Sequence, residues 1–545
     1  MLRHRNQAPL QGEDEAPKTT PSPIIARYVS KEYAPLPLLE VFIYAAFIIT
    51  VFSRAFFAVY EASKEYKDVL YSFNFEEGWY IFWHKDKDIG DFEWTHWRNI
   101  FFSPGVLVVM VLHAALGRIV GYVYPKYRTS FLLCFAVVSI YLFVGLRLLL
   151  YFLCHSLLMY TVTCTASMST VWCIVLMQIA SINLDFFLRF QRYIFTDEDD
   201  LNMMVFTLAM CTLRHISFAY EFCHFHSTPV ARRPNEKQYW GILDFLLYIY
   251  YLPLFFGGPV LTYDKFSRQI NLSIHMLNSV EWKHILKELF RYIFWAMFME
   301  TVLHFLYFPA FHQRPFLLNS MSLWAVGGLA LCQLLFFQMK YTVMYGLPRV
   351  HAMFDHINAP LPPVCILGMY LFQDFWRYFD RGLHSLLVRC IYIPLGGSKR
   401  GFVWQIMASI CCFSFVCFWH GADKHLVYWA IFNCVGLQME VLVGKIAHWT
   451  CLNNLLLRYL SGAMYRRLIA LLLTPNYMCL ALSNLIFLCG NDISYSYYNN
   501  LIWNGWPNTC LATFFTFYCT IQLIMSINSK YGKDFMCNKF YYRTW

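Results

Sequence analysis

Residues 413–429 read FSFVCFWHGADKHLVYW. The stretch opens inside Phe402–Trp419, which carries no charged side chain, and closes inside Leu426–Val443, whose one charge is Glu440. Each window is close to the ~20 residues that carry a helix across a bilayer core. The quoted stretch therefore reads as the turn between two membrane helices, with His420 at the end of the first. Gly421 beside it lets backbone approach a ligand closely. A lone histidine at a helix end is more often structural than catalytic. Against that, ionisable groups in such segments are costly and tend to mark function. A buried imidazole is held near or below its ordinary pKa of about 6.5, neutral and able to accept a proton.

The rest of the chain is of the same kind. Of 545 residues, 58% are hydrophobic and 14% charged, and mean hydropathy is +0.43. A soluble domain cannot hide that much apolar surface, and its charged share is nearer a quarter. Further windows are Val41–Val51 (extendable to Val59), Phe131–Leu146, Met168–Leu184, Tyr239–Val260, Trp295–Phe311, Met321–Phe337, Leu468–Cys489 and Cys510–Ile527. Weaker ones are Gly105–Val123, Leu148–Cys164 and Val205–Phe222. The expectation is an all-α polytopic membrane protein of roughly 10–13 transmembrane or re-entrant helices.

Residues 1–35 are polar and Pro-rich, without the apolar core of a signal peptide. They read as a disordered cytosolic tail, 36–530 as the membrane domain and 531–545 as a polar C-terminal tail. Lys and Arg number five in the tail and five in the 61–98 loop, so the positive-inside rule fixes orientation only weakly. The net charge of +10 fits loops facing anionic lipid and makes the bilayer, not nucleic acid, the partner. Nineteen cysteines lie scattered with no CxxC pair and no zinc spacing, and read mostly as small hydrophobes. Asn271 opens a three-residue glycan sequon, NLS. The matched halves of a transporter are not visible.

Arg349–Arg400 is the polar interruption that carries most information. It holds APLPPVC (Ala359–Cys365) and FWRYFDRGLHSLLVRCIYIPLGGSKR (Phe375–Arg400). Pro360, Pro362 and Pro363 break any helix there. The region is too polar to cross lipid and too aromatic to be a free loop, so its backbone belongs inside protein or along a wet cavity. Asp380 is either an ion-pair brace to Arg377, three residues back on one helix face, or a site residue. His384 would share that face, with no third ligand spaced for a metal. LGGSK (Leu395–Lys399) lacks the P-loop spacing. Read from its neighbours alone, Cys365 is a packing residue.

An Asp in an aromatic-basic segment, followed about 40 residues later by a His closing an apolar helix, resembles the membrane-bound O-acyltransferase family. DFEW, WRYFDRGLHSLLVRCIYIPLGG, FWHG, LSNLIFLCGN and GWP are similar to its hedgehog acyltransferase branch. The resemblance covers nearly all of the chain after the N-terminal tail, and its middle block is highly specific. It implies helices around a central tunnel and a multi-pass enzyme of the endoplasmic reticulum or Golgi membrane. That enzyme would move a palmitoyl group from palmitoyl-CoA to the N-terminal cysteine of a secreted hedgehog-type protein. The same fold would serve transfer to a lipid or to a serine hydroxyl of another secreted protein.

The resemblance makes His420 the family histidine and Asp380 the family aspartate. It sets Trp376 at an aromatic gate beside the donor, and Asn484 in the wall of the reaction chamber. It makes Cys365 the thiolate ligand of a b-type haem. One paralogue of the branch lacks the histidine; here His420 is present. The chemistry is consistent with these types. A terminal amine, ordinarily protonated with pKa about 7.7–8.0, must lose its proton to attack a thioester. A neutral imidazole can take that proton, a carboxylate can orient the amine, and an amide can donate to the developing oxyanion. The phosphates of CoA call for cations, and Arg377, Arg381, Arg389, Lys399 and Arg400 are the candidates. For Lys399 and Arg400 a positive-inside anchor serves equally well.

Overall fold

A computed structural model describes residues 34–71, 75–82, 84–229, 239–272, 279–447, 456 and 458–531. Nearly all of the two expected tails, and Ser273 of the sequon, lie outside the described residues. The long helices are α1 (Leu38–Glu65), α2 (Pro104–Val123), α3 (Arg128–Thr165), α4 (Met168–Asn183), α5 (Asp185–Ile194) and α6 (Glu198–Ser227). They continue as α7 (Ser279–Leu303) and α8 (Leu323–Met353), then the short α9 (Phe372–Tyr378) and α10 (Arg381–Leu387). The last four are α11 (Phe402–Trp419), α12 (Lys424–Ala447), α13 (Gly462–Tyr498) and α14 (Asn508–Tyr531). The one sheet among the described residues pairs Phe75–Glu76 with Lys87–Asp88.

Serines set several starts. Ser103, Ser167, Ser322 and Ser461 each accept a backbone N–H from the first turn of α2, α4, α8 and α13, satisfying one of the donors a helix start leaves open. Nine of the described helices are long and apolar enough to cross a membrane, or ten if the bent pair α4–α5 is one span. The windows expected at Phe131–Leu146 and Leu148–Cys164 are the two arms of α3, broken at Gly145 with φ 77°. At ~1.5 Å per residue such a helix is about twice as long as a bilayer core is thick.

Two expected windows do not form single helices. Tyr239–Val260 becomes Ile242–Ile249 and Leu252–Phe255, followed by extended chain. Pro253 and the left-handed Gly257, φ 93°, forbid a continuous helix. The segment is buried throughout Phe245–Phe255 except at Leu246, which is where irregular backbone survives at membrane depth. Trp295–Phe311 divides between the end of α7 and a short turn of helix, Phe308–His312.

The interior holds three apolar clusters. One joins α3, α4 and α6 to the 245–270 segment. A second joins α1, α7 and α8. The third packs the 364–375 segment against α13 and α14. The polar Arg349–Arg400 stretch is thus held among all three, which brings α9 and α10 up to α8, α11 and α12.

Candidate functional site

His420 is the residue that ends α11. Gly421 and Ala422 follow with φ of 121° and 58°, and their N–H groups return to the carbonyls of Phe418 (3.2 Å) and Cys417 (2.9 Å). This left-handed pair closes the helix. The imidazole lies edge-on to Trp419 (4.6 Å between ring centroids), Phe487 of α13 (5.0 Å) and Trp429 of α12 (6.3 Å). Trp419 is fixed by its indole N–H donating to Ala209 O at 3.0 Å. The His420 side chain is exposed, not buried as its apolar surroundings suggested, and among the described residues no hydrogen bond engages its ring. It is therefore not a histidine satisfied by the core.

Asp380 caps α10. Its Oδ1 accepts the Leu383 N–H at 2.9 Å, and its Oδ2 accepts the Tyr345 hydroxyl at 2.9 Å. Burial pushes the carboxyl up, while the N–H groups of Leu383 and Gly382 and the Tyr345 hydroxyl pull it down; the net direction is up. Asp380 and Arg377 do not share a helix face: α9 ends at Tyr378 and Asp380 begins the next helix. Among the described residues no ion pair joins them, because a capping aspartate spends its oxygens on backbone. The start of α10 lies against the 255–266 segment, where a Cβ at Gly382 would collide with the Val260 carbonyl.

Trp376 connects the two. Its indole N–H donates to Asn433 Oδ1 at 3.0 Å, and its ring lies 4.8 Å from Phe413 and 5.5 Å from Trp429. On the other side Phe379, next to Asp380, stacks on Phe337 at 4.6 Å, and Phe337 lies 6.0 Å from Phe487. His420 and the Asp380 segment therefore border one aromatic cluster. Glu440 of α12 holds the start of α9. It accepts the N–H groups of Phe372 (2.5 Å) and Gln373 (3.1 Å) and the Asn476 amide (2.7 Å). Leu371 at the cap position has no side chain able to do this, so a neighbouring helix supplies the missing acceptor.

Asn484 is buried on α13 and spends one amide N–H on Leu480 O at 2.8 Å. It lines a cavity of about 1080 Å³ whose other walls include Phe52, Phe337, Phe375, Leu485 and Phe517. The cavity reaches the aromatic cluster at Phe337 and Phe375; His420 is not among its walls. Cys365 begins the turn Ile366–Gly368. Burial pushes its thiol up, against a smaller downward pull from the backbone N–H groups of Leu367 and Gly368. Ile366, Leu367 and Met369 continue into the cavity wall. A sulfur next to a large apolar space is the one donor a thiolate-ligated haem would need, while the upward push on the thiol works against the thiolate form.

The basic residues separate. Arg377 is half-buried beside Trp376, and Arg381 lies over the Tyr378 ring at 5.4 Å. Arg389 sits in a π-helical turn, Val388–Tyr392, with its guanidinium engaged by Glu221 (Nη2 to Oε2 2.8 Å) and 3.7 Å from Asp264. Lys399 and Arg400 are exposed on the turn before α11. With the length of α11 between them, they stand ~27 Å from His420.

Several residues of this region gave no signal at the level of sequence. Tyr345, Asn433, Trp429 and Phe487 are ordinary members of apolar runs, and apart from the His420–Trp429 pair each partner lies dozens of residues away. Glu440 could have been singled out, as the one carboxylate of an apolar span.

The model of "MBOAT, membrane-bound O-acyltransferase family" matches residues 158–483. Protein-cysteine N-palmitoyltransferase HHAT of Mus musculus is 31% identical over 473 residues, covering 86% of this chain and 93% of the relative. The mouse HHAT-like protein is 27% identical over 90% of this chain and 95% of its own length. Protein-cysteine N-palmitoyltransferase Rasp of Drosophila melanogaster is 26% identical over 55% of this chain and 59% of its own. A matched region that contains Trp376, Asp380 and His420 and ends one residue before Asn484, together with this extent of similarity, shows that the chain belongs to the membrane-bound O-acyltransferase family.

Proposed function

We propose that the chain transfers a palmitoyl group from palmitoyl-CoA to the N-terminal cysteine of a secreted, hedgehog-type protein in the endoplasmic reticulum membrane. Similarity to relatives named protein-cysteine N-palmitoyltransferases supports palmitoyl transfer to a protein cysteine. The observation that carries the reading is the meeting of His420 and the Asp380 segment on the Trp376–Trp429–Phe487–Phe337 aromatic cluster.

In this reading the acyl chain lies in the apolar cavity, where each buried CH₂ contributes about 0.8 kcal/mol. The thioester carbonyl sits at the aromatic cluster. Asp380 orients the incoming ammonium. His420 takes its proton as general base, a role worth roughly 100- to 10,000-fold. The amine nitrogen attacks the carbonyl carbon, and the remaining N–H of Asn484 is available to the developing oxyanion. The carbon–sulfur bond then breaks, the proton held by His420 passes to the departing CoA sulfur, the nitrogen releases its second proton to water, and an amide remains. Lys399 and Arg400, with Arg377 and Arg381, would meet the CoA phosphates. Arg389 would do so only by leaving Glu221. A haem on Cys365 would brace the 365–369 turn; acyl transfer moves no electrons and none of these steps uses it.

A second reading has its own support. Membrane-bound O-acyltransferase GUP1 of Saccharomyces cerevisiae is 29% identical over 47% of this chain and 43% of its own length, and its name specifies transfer to oxygen. One assay separates the two: purified protein with labelled palmitoyl-CoA, offered a free N-terminal cysteine peptide, its N-acetylated form, and lysophospholipid. Label on the free peptide alone supports the first reading. Label on lipid with none on peptide replaces it with the second.

A further inference from the structure

Asp380 has two oxygens, and the fold commits each of them. Oδ1 is held by the first turn of α10 and Oδ2 by the Tyr345 hydroxyl, each at 2.9 Å. Tyr345 comes from α8, whose preceding turn is anchored elsewhere. Tyr341, four residues earlier on the same face, donates to Glu93 Oε1 at 2.7 Å, and Lys340 pairs with Asp91 and Glu93 at 2.9 Å each. The rings of Tyr341 and Tyr345 lie 5.2 Å apart. Asp91 and Glu93 belong to the helix start at Phe92, in the long segment between α1 and α2. The 340–345 face of α8 is thus pinned on one side to that segment and on the other to Asp380. The titratable groups facing the carboxylate are Tyr345 and Tyr341 of α8; Lys340, Asp91 and Glu93 lie on the far side of Tyr341's contacts, and Arg377, Arg381 and His384 are its neighbours along the chain.

We propose that Tyr345 is a positioning residue of the acyl-transfer site: its hydroxyl fixes Oδ2 of Asp380, so that the carboxylate meets the acceptor amine in one orientation. A carboxylate free to rotate about its last torsion would hold the amine at variable distance from the thioester. Misplacement by about 1 Å is enough to cost 100-fold in such reactions. The hydroxyl also stabilises the ionised carboxylate, because it donates to the charged form. The inference rests on the reading of Asp380 given above, and applies whichever acceptor the enzyme uses.

The test is Tyr345→Phe in the full chain, assayed with palmitoyl-CoA and the free N-terminal cysteine peptide. The expected loss is about 10- to 100-fold in kcat, the range for a lost hydrogen bond to a charged group, with KM for palmitoyl-CoA unchanged. The acidic limb of the pH–rate profile moves to higher pH, since Asp380 loses a donor that favours its charged form. In an Asp380→Asn background the same substitution has no further effect. A purely structural tyrosine would move neither the profile nor the cycle. An unimpaired Tyr345→Phe enzyme, an unmoved acidic limb, or losses that add in the double variant would each overturn the proposal. Wild type that labels only lipid would instead replace the peptide reading, and the same cycle is then run on the lipid acceptor.

Discussion

His420 and Phe487 meet edge to face, their ring centroids 5.0 Å apart. One residue closes α11 and the other lies midway along α13, so two helices distant in sequence set the position of one imidazole. Phe487 also touches Trp429 at 5.0 Å, which makes it the shared neighbour of the aromatic cluster. Phe487→Ala is expected to lower turnover about 10- to 100-fold through misplacement of the ring, with palmitoyl-CoA binding largely kept. Single-turnover kinetics check this; full activity in a folded Phe487→Ala protein would show that the contact is incidental.

Glu440 is a cap supplied in trans. Glu440→Ala removes the acceptor of the buried Phe372 N–H, the part-buried Gln373 N–H and the Asn476 amide, at about 1–3 kcal/mol for each group left unsatisfied in the interior. The expected outcome is a lower thermal midpoint in detergent and reduced acyl transfer together. Glu440→Gln keeps one acceptor oxygen and falls between wild type and Ala. Identical melting of all three proteins would count against the cap.

Gly382 has the Val260 carbonyl where a side chain would go. Gly382→Ala must push α10, and Asp380 with it, away from the 255–266 segment. Overpacking of this kind costs typically 1–3 kcal/mol. The measurement is kcat at a temperature where the variant remains folded; the expected result is a loss well beyond the loss of folded protein, and an intact kcat contradicts the close approach.

Asp88, in the segment between α1 and α2, accepts the N–H groups of Gly90 (2.8 Å) and Ala310 (2.9 Å). Burial pushes its carboxyl from 3.8 up to about 7. Between those two values the folded chain keeps a proton that the unfolded chain has released, so stability falls as pH rises through the window. Thermal midpoints are expected to drop from pH 5 to pH 8, and Asp88→Asn to flatten that dependence. An unchanged slope in the variant assigns the effect to other groups.

The membrane helices were legible because their signal is local. Phe402–Trp419 appears with the boundaries its composition suggests, as an uninterrupted apolar run between Gly401 and His420. Tyr239–Val260 misled because hydropathy weighs Pro253 and Gly257 as mild residues while the backbone treats them as stops. The Asp380 segment was legible as too aromatic for solvent and too polar for lipid, but the geometry inside it was not. Asp380 faces Tyr345 across 35 residues, and the α9 cap joins residues 68 apart. No periodicity encodes such pairings. The brace to Arg377, one of the two readings open for Asp380, assumed one helix where the chain makes two.

The central claim is that a neutral imidazole at position 420 takes the proton of an acceptor held beside Asp380. Its most direct test is the rate of palmitoyl transfer to a free N-terminal cysteine peptide by wild type and by folded His420→Ala. The account predicts a fall of roughly 100-fold or more, with no label on the N-acetylated peptide by either protein. Transfer by His420→Ala at the wild-type rate would contradict it.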